Sequence, residues 1–532
     1  MAARVLEPQR GNREGSLKAS LHIAMLLSAG ATHIALAAGD GGLASLQARL
    51  GSSCPTGSGI GIVQVEAPMT GGGSDYAPNL TLSDFAGKNV ILATQPAVAG
   101  WHGTNVAQRL YGSGMSMARG ATDVWVYNLN SWLTDLLKLG TGSTPAASPS
   151  TLVRVMNHSW LGSYGAGMEA YDREAVRRLD YQMTRDGILA TCGENNGAGS
   201  VRAPMMADTF NGVSVGRADL QHSAGDTGSA SDSPGRMKPD LVAPGQFTSF
   251  STATVGSAAA LLFEVLKDPT YAGLSNAQRA QVAKVCLLGG ADRAAPWTNN
   301  APVSGASRGV AIKPLDAMRG CGELNVDTAH RMLTATRVNG AAGATAASPA
   351  EPWVWCTATL SGLGKSYWRF RLYQPQPQLD ITLTWPRNVT STATSFTVAN
   401  LNMRLTRSLG GGSTLIPLEG EAGAATFEAG NVSSQSGVDN VEVIHAVNLQ
   451  PGEYTLEVSR ADAGTAMIGY LGWSTPSGAF GMEGDVDGNG LVDYGDLAFA
   501  MLSYGADDPL CDMDANGLVD YGDIAIILLD FN

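Results

Sequence analysis

Residues 59 to 193 alternate between short apolar runs and longer stretches that suit helices. The apolar runs are rich in β-branched residues and predict strands at 59–66, 89–94, 122–129, 151–159 and 187–193. The stretches at 103–112 and 167–185 have helical patterns. This alternation predicts an α/β domain with a mostly parallel sheet covered on both faces. Functional groups in such a domain gather beyond the carboxyl ends of the strands.

The pattern changes after residues 339–352, which form a predicted linker of small residues. From 353 to 478 the sequence consists of short alternating strands such as "SYWRFRLY" and "LDITLTWP", and helical patterns are absent. This pattern of short alternating strands predicts a β-sandwich. Its His, Cys and acidic residues form no cluster at a catalytic spacing, so we expect a supporting or binding module.

The C-terminal segment, residues 483–532, contains two copies of one motif that start 27 residues apart. Each copy places Asp or Asn at positions 1, 3, 5, 9 and 12 of a loop, with Gly at position 6, where the chain must turn sharply. These side chains are Asp485, Asp487, Asn489, Asp493 and Asp496 in the first copy, and Asp512, Asp514, Asn516, Asp520 and Asp523 in the second. Because the spacing directs several oxygens at one centre, we predict that both loops bind calcium.

A disordered acidic tail explains neither the Gly at position 6 nor the apolar residues that follow each loop at helical spacing. An EF-hand would flank each loop with two helices and end it with Glu, whereas here only the following helix is evident and the last ligand is Asp. The segment therefore resembles a type I dockerin, a small helical calcium-binding module. The resemblance implies docking onto a cohesin-bearing protein on a scaffold or cell surface. The partner-facing pairs would be Tyr494–Gly495 and Tyr521–Gly522, whose identity in both repeats would allow two docking orientations.

The first 38 residues have the pattern of an export signal. Basic residues precede an apolar stretch from 21 to 36, and "ALAAG" offers small residues for cleavage near Ala37. Cleavage there would release a secreted chain; a disordered N-terminus of a cytosolic protein is the alternative. No other segment reaches about 18 consecutive apolar residues, so we expect no membrane span.

The net charge of −13 makes nucleic acid an unlikely class of partner, because an acidic surface repels a phosphate backbone. Much of that charge lies between residues 485 and 532, which contain eleven Asp and no Lys or Arg. The six cysteines are too sparse for a disulfide scaffold, and the sequence predicts no particular pairing.

Candidate chemistry centres on Ser249, in "DLVAPGQFTSFSTATVGSAAALL", and on His102, in "WHGTNVAQRL". A serine hydroxyl becomes a good nucleophile only when a base takes its proton, and the base needs an acid that fixes its tautomer. Ser249 lies where a helix over 251–265 is predicted to begin, so the helix dipole would favour negative charge there. A helix N-cap is the structural alternative for Ser249, and a core histidine is the alternative for His102.

Together with "MNHSW" at 156–160 and "GRMKPDLVAPG" at 235–245, these motifs resemble the subtilisin family of serine peptidases. The resemblance implies a parallel α/β peptidase domain over residues 39–338, with an acid, His, Ser order along the chain. By that resemblance His102 is the general base and Ser249 the nucleophile, while Ser159 and Trp160 line the substrate strand. The turn in "CGENNG" would supply the oxyanion amide, with Asn195 preferred and Asn196 as the alternative.

The sequence departs from the family pattern at four positions. The acid that ends the first strand is Glu66 instead of the usual Asp, with Asp75 as a spare candidate. The usual Gly before Thr-Ser, Pro of the following helix and second His of HGTH are replaced by Phe247, Ala253 and Asn105, respectively. The favoured hypothesis is a secreted, calcium-binding serine endopeptidase acting on proteins or peptides. The alternative is a binding protein on a peptidase scaffold, inactivated by Glu66 and Phe247.

Overall fold

The computed structural model describes most of the chain beyond residue 39. The described residues are 40–70, 73–294, 296–342, 353–372, 375–408, 415–417, 430–450, 452–474, 484–487, 491–508, 510–514, 516–529 and 531. The predicted export signal, most of the predicted linker and Asn489 lie outside them.

The first part of the chain is built on seven parallel strands. The strands of this part of the chain, which include β7, β8 and β10 outside the parallel sheet, are β1 Gly61–Glu66, β2 Asn89–Leu92, β3 Asp123–Asn128, β4 Val153–His158, β5 Leu189–Gly193, β6 Val213–Arg217, β7 Gly225–Asp226, β8 Met237–Lys238, β9 Leu241–Ala243 and β10 Val310–Ala311. The parallel sheet has the order β2-β3-β1-β4-β5-β6-β9. This confirms the α/β prediction, and the five predicted strands are present with shorter ends.

Helices cover both faces of the parallel sheet. They are α1 Leu43–Leu50, α2 Trp101–Leu110, α3 Leu129–Ser131, α4 Glu169–Asp186, α5 Thr248–Val265, α6 Asn276–Gly289 and α7 Val326–Thr334. Successive side chains of β1 face opposite sides, so Val63 and Val65 enter one apolar core and Ile62 enters the other. By the same period of two, Gln64 and Glu66 face the side of Ile62, where α2 and α5 pack.

The β-rich region contains two sheets that share one apolar core. Its strands are β11 Trp353–Leu360, β12 Lys365–Leu372, β13 Gln376–Thr384, β14 Asn388–Val389, β15 Phe396–Thr397, β16 Leu401–Ser408, β17 Leu415–Pro417, β18 Ser433–Ser434, β19 Val441–Leu449, β20 Gly452–Arg460 and β21 Met467–Ser474. One sheet has the order β11-β21-β13-β19 and the other β10-β18-β16-β20-β12, with β17 beside β16. Strand β10, from the first part of the chain, pairs with β18 in parallel.

The β-rich region packs closely on the part of the chain that contains the parallel sheet. Trp355 and Tyr470 enter the same apolar core as helices α6 and α7. Arg387 is fully buried at this contact, where its Nη1 lies 2.7 Å from Asp232 Oδ2 and its Nη2 pairs with Asp180. Its backbone N–H also donates to Asn211 Oδ1 at 2.7 Å. The two regions are therefore joined by apolar packing and by a buried ion-pair cluster.

The C-terminal segment contains helices α8 Tyr494–Leu502 and α9 Tyr521–Leu529, one after each predicted calcium loop. A small apolar core that includes Val492 and Ile527 joins the two repeats. All six cysteines are buried and unpaired. Over the described ranges, no helix has both the length and the apolarity needed to cross a membrane.

Candidate active site

Glu66 and His102 form a buried pair at the carboxyl end of β1. Glu66 is the last residue of that strand and is fully buried, while His102 lies in the first turn of α2 and is 5% exposed. Glu66 Oε2 lies 2.7 Å from His102 Nδ1. Because the carboxylate accepts at Nδ1, the other ring nitrogen, Nε2, is left to exchange a proton. The extra methylene of Glu is therefore compatible with contact to the imidazole.

The second oxygen of Glu66 is also occupied. Gln64 Nε2 donates to Glu66 Oε1 at 2.9 Å and to the Gly103 carbonyl at 2.9 Å. The Tyr111 hydroxyl donates to Gln64 Oε1 at 2.7 Å. Sequence reasoning missed both Gln64 and Tyr111. A single amide within the apolar strand "GIVQVE" was a signal for the first, whereas Tyr111 follows α2 without a local signal.

Ser249 lies in the first turn of α5 and is 7% exposed. The helix begins at Thr248 and its N-cap is Phe247, so the predicted start at 251 and the N-cap alternative for Ser249 are both wrong. The physical reason is that the Phe247 carbonyl accepts the first helical bonds, from Phe250 N and Ser251 N. Among the described residues the backbone N–H of Ser249 has no hydrogen-bond partner, as expected so early in a helix.

Helix packing places the residues that flank His102 against those that flank Ser249. The Trp101 ring lies 6.3 Å from the Phe247 ring and 6.1 Å from the Phe250 ring, and the Arg109 guanidinium lies 3.9 Å from the centre of the Phe250 ring. Within the described part of the chain, no hydrogen bond joins the Ser249 hydroxyl to His102. Such bonds are often long in a peptidase without substrate and tighten when substrate binds.

Asn196, and not the preferred Asn195, contacts the helix that carries Ser249. Asn196 Oδ1 accepts from Thr248 N at 2.9 Å. Because a backbone N–H bonds only to the oxygen of the amide, Asn196 Nδ2 remains available as a donor beside Ser249. Asn195 Nδ2 instead donates to the Val201 carbonyl at 3.0 Å. The prediction for Asn195 is therefore corrected, because its side chain is committed to the following loop.

Ser159 and Trp160 have buried side chains. Ser159 Oγ donates to the Ser249 carbonyl at 2.8 Å and accepts from Asn157 Nδ2 at 2.8 Å. Trp160 Nε1 donates to His158 Nδ1 at 3.2 Å, and its ring packs against Trp132. The Ser159 side chain therefore fixes the backbone of Ser249, and the Trp160 ring belongs to the core. That these two residues line the substrate strand stays a prediction.

The departures from the subtilisin pattern cause no visible distortion. Phe247 has φ −135° and ψ 152°, an extended conformation that needs no glycine. Asn105 Nδ2 donates to the Trp101 carbonyl at 2.9 Å, and Ala253 is buried within α5. Asp75 accepts from Thr70 N at 3.1 Å in its own loop, so the spare acid is engaged elsewhere.

Two clusters of carboxylates lie in the C-terminal segment. Each brings three Asp oxygens within 4.8 Å of one another: Asp485, Asp487 and Asp496 in the first loop, and Asp512, Asp514 and Asp523 in the second. Asp512 Oδ2 accepts from Gly517 N at 2.8 Å, and Gly517 has φ +90°, which fits the sharp turn predicted at position 6. Asp493 caps α8, while Asn516 Nδ2 and Asp520 Oδ2 lie 3.4 Å apart.

A buried carboxylate–imidazole pair lies at the carboxyl end of the parallel sheet, and residues of the helix that carries the imidazole pack against residues of the helix that carries Ser249. Residues 89–292 match the model of the Peptidase S8 (subtilase) family, and the chain therefore contains a subtilase domain. The matched segment includes His102, Asn196 and Ser249 but begins after Glu66.

The solved structures that match the chain share little sequence with it. Fervidolysin from Fervidobacterium pennivorans, a keratinolytic enzyme related to subtilisin, is 11% identical over 75% of this chain and 67% of its own, with a TM-score of 0.34. Pseudomonas sedolisin, a serine-carboxyl proteinase, is 12% identical over 53% of this chain and 94% of its own, also with a TM-score of 0.34. No curated protein matches the chain.

Proposed function

We propose that the protein is a secreted serine endopeptidase that hydrolyses peptide bonds through Ser249, His102 and Glu66. The buried Glu66–His102 pair, at 2.7 Å, is the observation that carries the proposal. A buried carboxylate against one imidazole nitrogen fixes the tautomer in which the other nitrogen accepts a proton. The structural alternatives, an N-cap role for Ser249 and a core role for His102, do not require a buried carboxylate bound to the imidazole.

In the first half of the reaction, Ser249 Oγ adds to the carbonyl carbon of the scissile peptide and its proton passes to His102 Nε2. The Glu66 carboxylate stabilises the resulting imidazolium. Collapse of the tetrahedral intermediate breaks the C–N bond, and His102 gives its proton to the leaving amine. Water then attacks the acyl-enzyme by the same route, with His102 again acting as base and then as acid.

Two donors are available for the negative oxygen of the tetrahedral intermediate. One is Asn196 Nδ2, since the amide oxygen of this residue is held by Thr248 N. The other is the backbone N–H of Ser249, at the positive end of the α5 dipole. Fixed donors that point to the developing charge are a major source of rate acceleration in acyl transfer.

A fluorophosphonate probe tests the nucleophile directly. We expect the full-length protein to be labelled, and the label to be lost in Ser249→Ala. Ser251→Ala is the matched control, because Ser251 lies in the same helical turn and donates only to the Ala243 carbonyl at 2.8 Å and to the Phe247 carbonyl at 3.4 Å. Absence of label in correctly folded wild-type protein would refute the proposal.

For the C-terminal segment we propose calcium binding. The two clusters consist of carboxylate oxygens, which calcium prefers, and the Asp512–Gly517 turn supports the geometry. Asp485, Asp487 and Asp496 would hold one ion in the first loop. Asp512, Asp514 and Asp523 would hold another in the second loop. The ion would have a structural role and take no part in peptide hydrolysis.

We also propose that the segment docks the peptidase onto a cohesin-bearing protein after export. Tyr494 and Tyr521 occupy equivalent repeat positions and are each 78% exposed, which suits a partner that binds in either orientation. An isolated cohesin module should bind the full chain in calcium and not after chelation. Changing Tyr494 or Tyr521 alone to Ala should weaken binding little, whereas changing both should abolish it; loss of binding with either single change would contradict the two-orientation model.

A further inference from the structure

A line of four buried polar side chains runs from the core to the candidate active site. The Tyr111 hydroxyl donates to Gln64, Gln64 donates to Glu66, and Glu66 binds His102, at 2.7, 2.9 and 2.7 Å respectively. Tyr111, Gln64 and Glu66 are all fully buried. Three such groups in one core are costly unless each is hydrogen-bonded, so this line needs an explanation.

The chemistry of the line fixes the direction of each bond. A Glu66 carboxylate that serves an imidazole only accepts, so the Nε2 group of Gln64 must face it. Gln64 Oε1 is then left to accept from Tyr111. Burial, and secondarily the charge of Glu66, raises the pKa of Tyr111 well above its ordinary value, so the phenol keeps its proton. Each of the two side chains therefore donates towards the acid.

Gln64 also ties the acid to the base. The second N–H of its amide donates to the Gly103 carbonyl at 2.9 Å, and Gly103 follows His102 in α2. One side chain on β1 thus holds both the carboxylate and the start of the helix that carries the imidazole. Glu has one more rotatable bond than Asp, so its carboxylate needs more restraint to keep a single orientation.

We propose that Gln64 and Tyr111 are positioning residues for the acid: Gln64 clamps Glu66 Oε1 so that Oε2 stays on His102 Nδ1, and Tyr111 fixes the orientation of Gln64. This inference rests on the proposed peptidase function and adds to it. It also explains how a Glu serves at a position where the subtilisin pattern has the shorter Asp.

The variants Tyr111→Phe and Gln64→Met remove one link each and keep side-chain volume. We expect Tyr111→Phe to lower kcat by roughly 3- to 10-fold and Gln64→Met by roughly 10- to 100-fold, with KM nearly unchanged, since only the orientation of the acid is lost. Because Tyr111 acts through Gln64, adding Tyr111→Phe to Gln64→Met should cause no further loss. Losses that multiply in the double variant would overturn the inference.

Tyr76→Phe is the matched control. Tyr76 is a fully buried tyrosine whose hydroxyl donates to the Thr94 carbonyl, outside the line. It should lose stability comparable to that of Tyr111→Phe and keep its kcat. Equal losses of kcat in the two variants would assign Tyr111 a general structural role and overturn the inference.

A second readout does not require activity. The Nδ1 proton of His102 should give a downfield NMR resonance in the full-length protein that disappears in His102→Ala. This resonance should shift in Tyr111→Phe and remain in place in Tyr76→Phe. An unchanged resonance in Tyr111→Phe overturns the inference even if the protein is a peptidase. A shifted resonance in a protein that neither cleaves peptides nor reacts with fluorophosphonate upholds it and refutes the proposed function instead.

Discussion

Replacing Asn196 with Asp separates an observed task of its side-chain amide from a proposed one. Its oxygen accepts from Thr248 N at 2.9 Å and supports the start of α5, while its NH₂ group is free to donate to a substrate oxyanion. Asp keeps an acceptor at the helix N-terminus, where negative charge is favourable by about 0.3–1 kcal/mol. It removes the donor and adds a charge that repels the oxyanion. The variant should therefore fold normally and fail in catalysis.

Loss of one oxyanion donor lowers kcat by about 10²–10³, or about 2.7–4 kcal/mol of transition-state stabilisation, and repulsion by Asp should place Asn196→Asp at or beyond the upper end. Asn196→Ala should lose a similar kcat but also about 0.5–2 kcal/mol of unfolding free energy, because Thr248 N then lacks its partner. Asn195→Ala is the adjacent control. Its side chain bonds Val201, so kcat should stay within about twofold.

The assay is steady-state hydrolysis of a fluorogenic peptide, combined with urea unfolding of each variant. Intact stability with a large loss of kcat in Asn196→Asp supports the assignment. Retention of kcat within about threefold in Asn196→Asp, or a larger loss in Asn195→Ala, would show that the reasoning from the Thr248 contact is wrong.

Three further predictions concern the acid, the contact between regions and the calcium loops. Glu66→Gln should lower kcat by about 10⁴ with little change in stability, because a neutral amide no longer stabilises the His102 imidazolium or fixes its tautomer; a loss below tenfold would exclude Glu66 as the acid. Arg387→Met should lower the unfolding free energy by about 3–5 kcal/mol in urea titration, since it leaves the buried Asp180 carboxylate without its ion-pair partner, while Asp232 keeps Arg177 at 2.6 Å. A change under about 1 kcal/mol would contradict this. Calorimetry of the full chain should show a transition that chelation moves to lower temperature and that moves less in Asp512→Ala. Identical melts with and without chelator would argue against calcium.

The parallel sheet could be predicted from the sequence because inner strands such as β1 and β5 are buried on both faces and appear as mostly apolar runs. The start of α5 was not, because Phe247 carries none of the usual N-cap signals and the polar Thr-Ser pair falls inside the first turn. The choice between Asn195 and Asn196 depended on which side chain reaches Thr248, a contact across 52 residues that no local pattern encodes. The hydrogen bond between Gln64 and Tyr111 could not be predicted for the same reason, because it joins residues that are far apart in sequence.

Strand β10 has a practical consequence for dividing the chain. Val310 and Ala311 pair with β18, and the backbone of Gly309 accepts from Val432 N and Ser433 N. A fragment that stops at residue 338 would lose these hydrogen bonds. It would also expose to solvent the apolar surface that Trp355 and Tyr470 cover. A protein cut between 339 and 352 should therefore run as two bands in a denaturing gel and elute as one particle from a sizing column. The β-rich region would then be a permanent part of the particle that contains the parallel sheet.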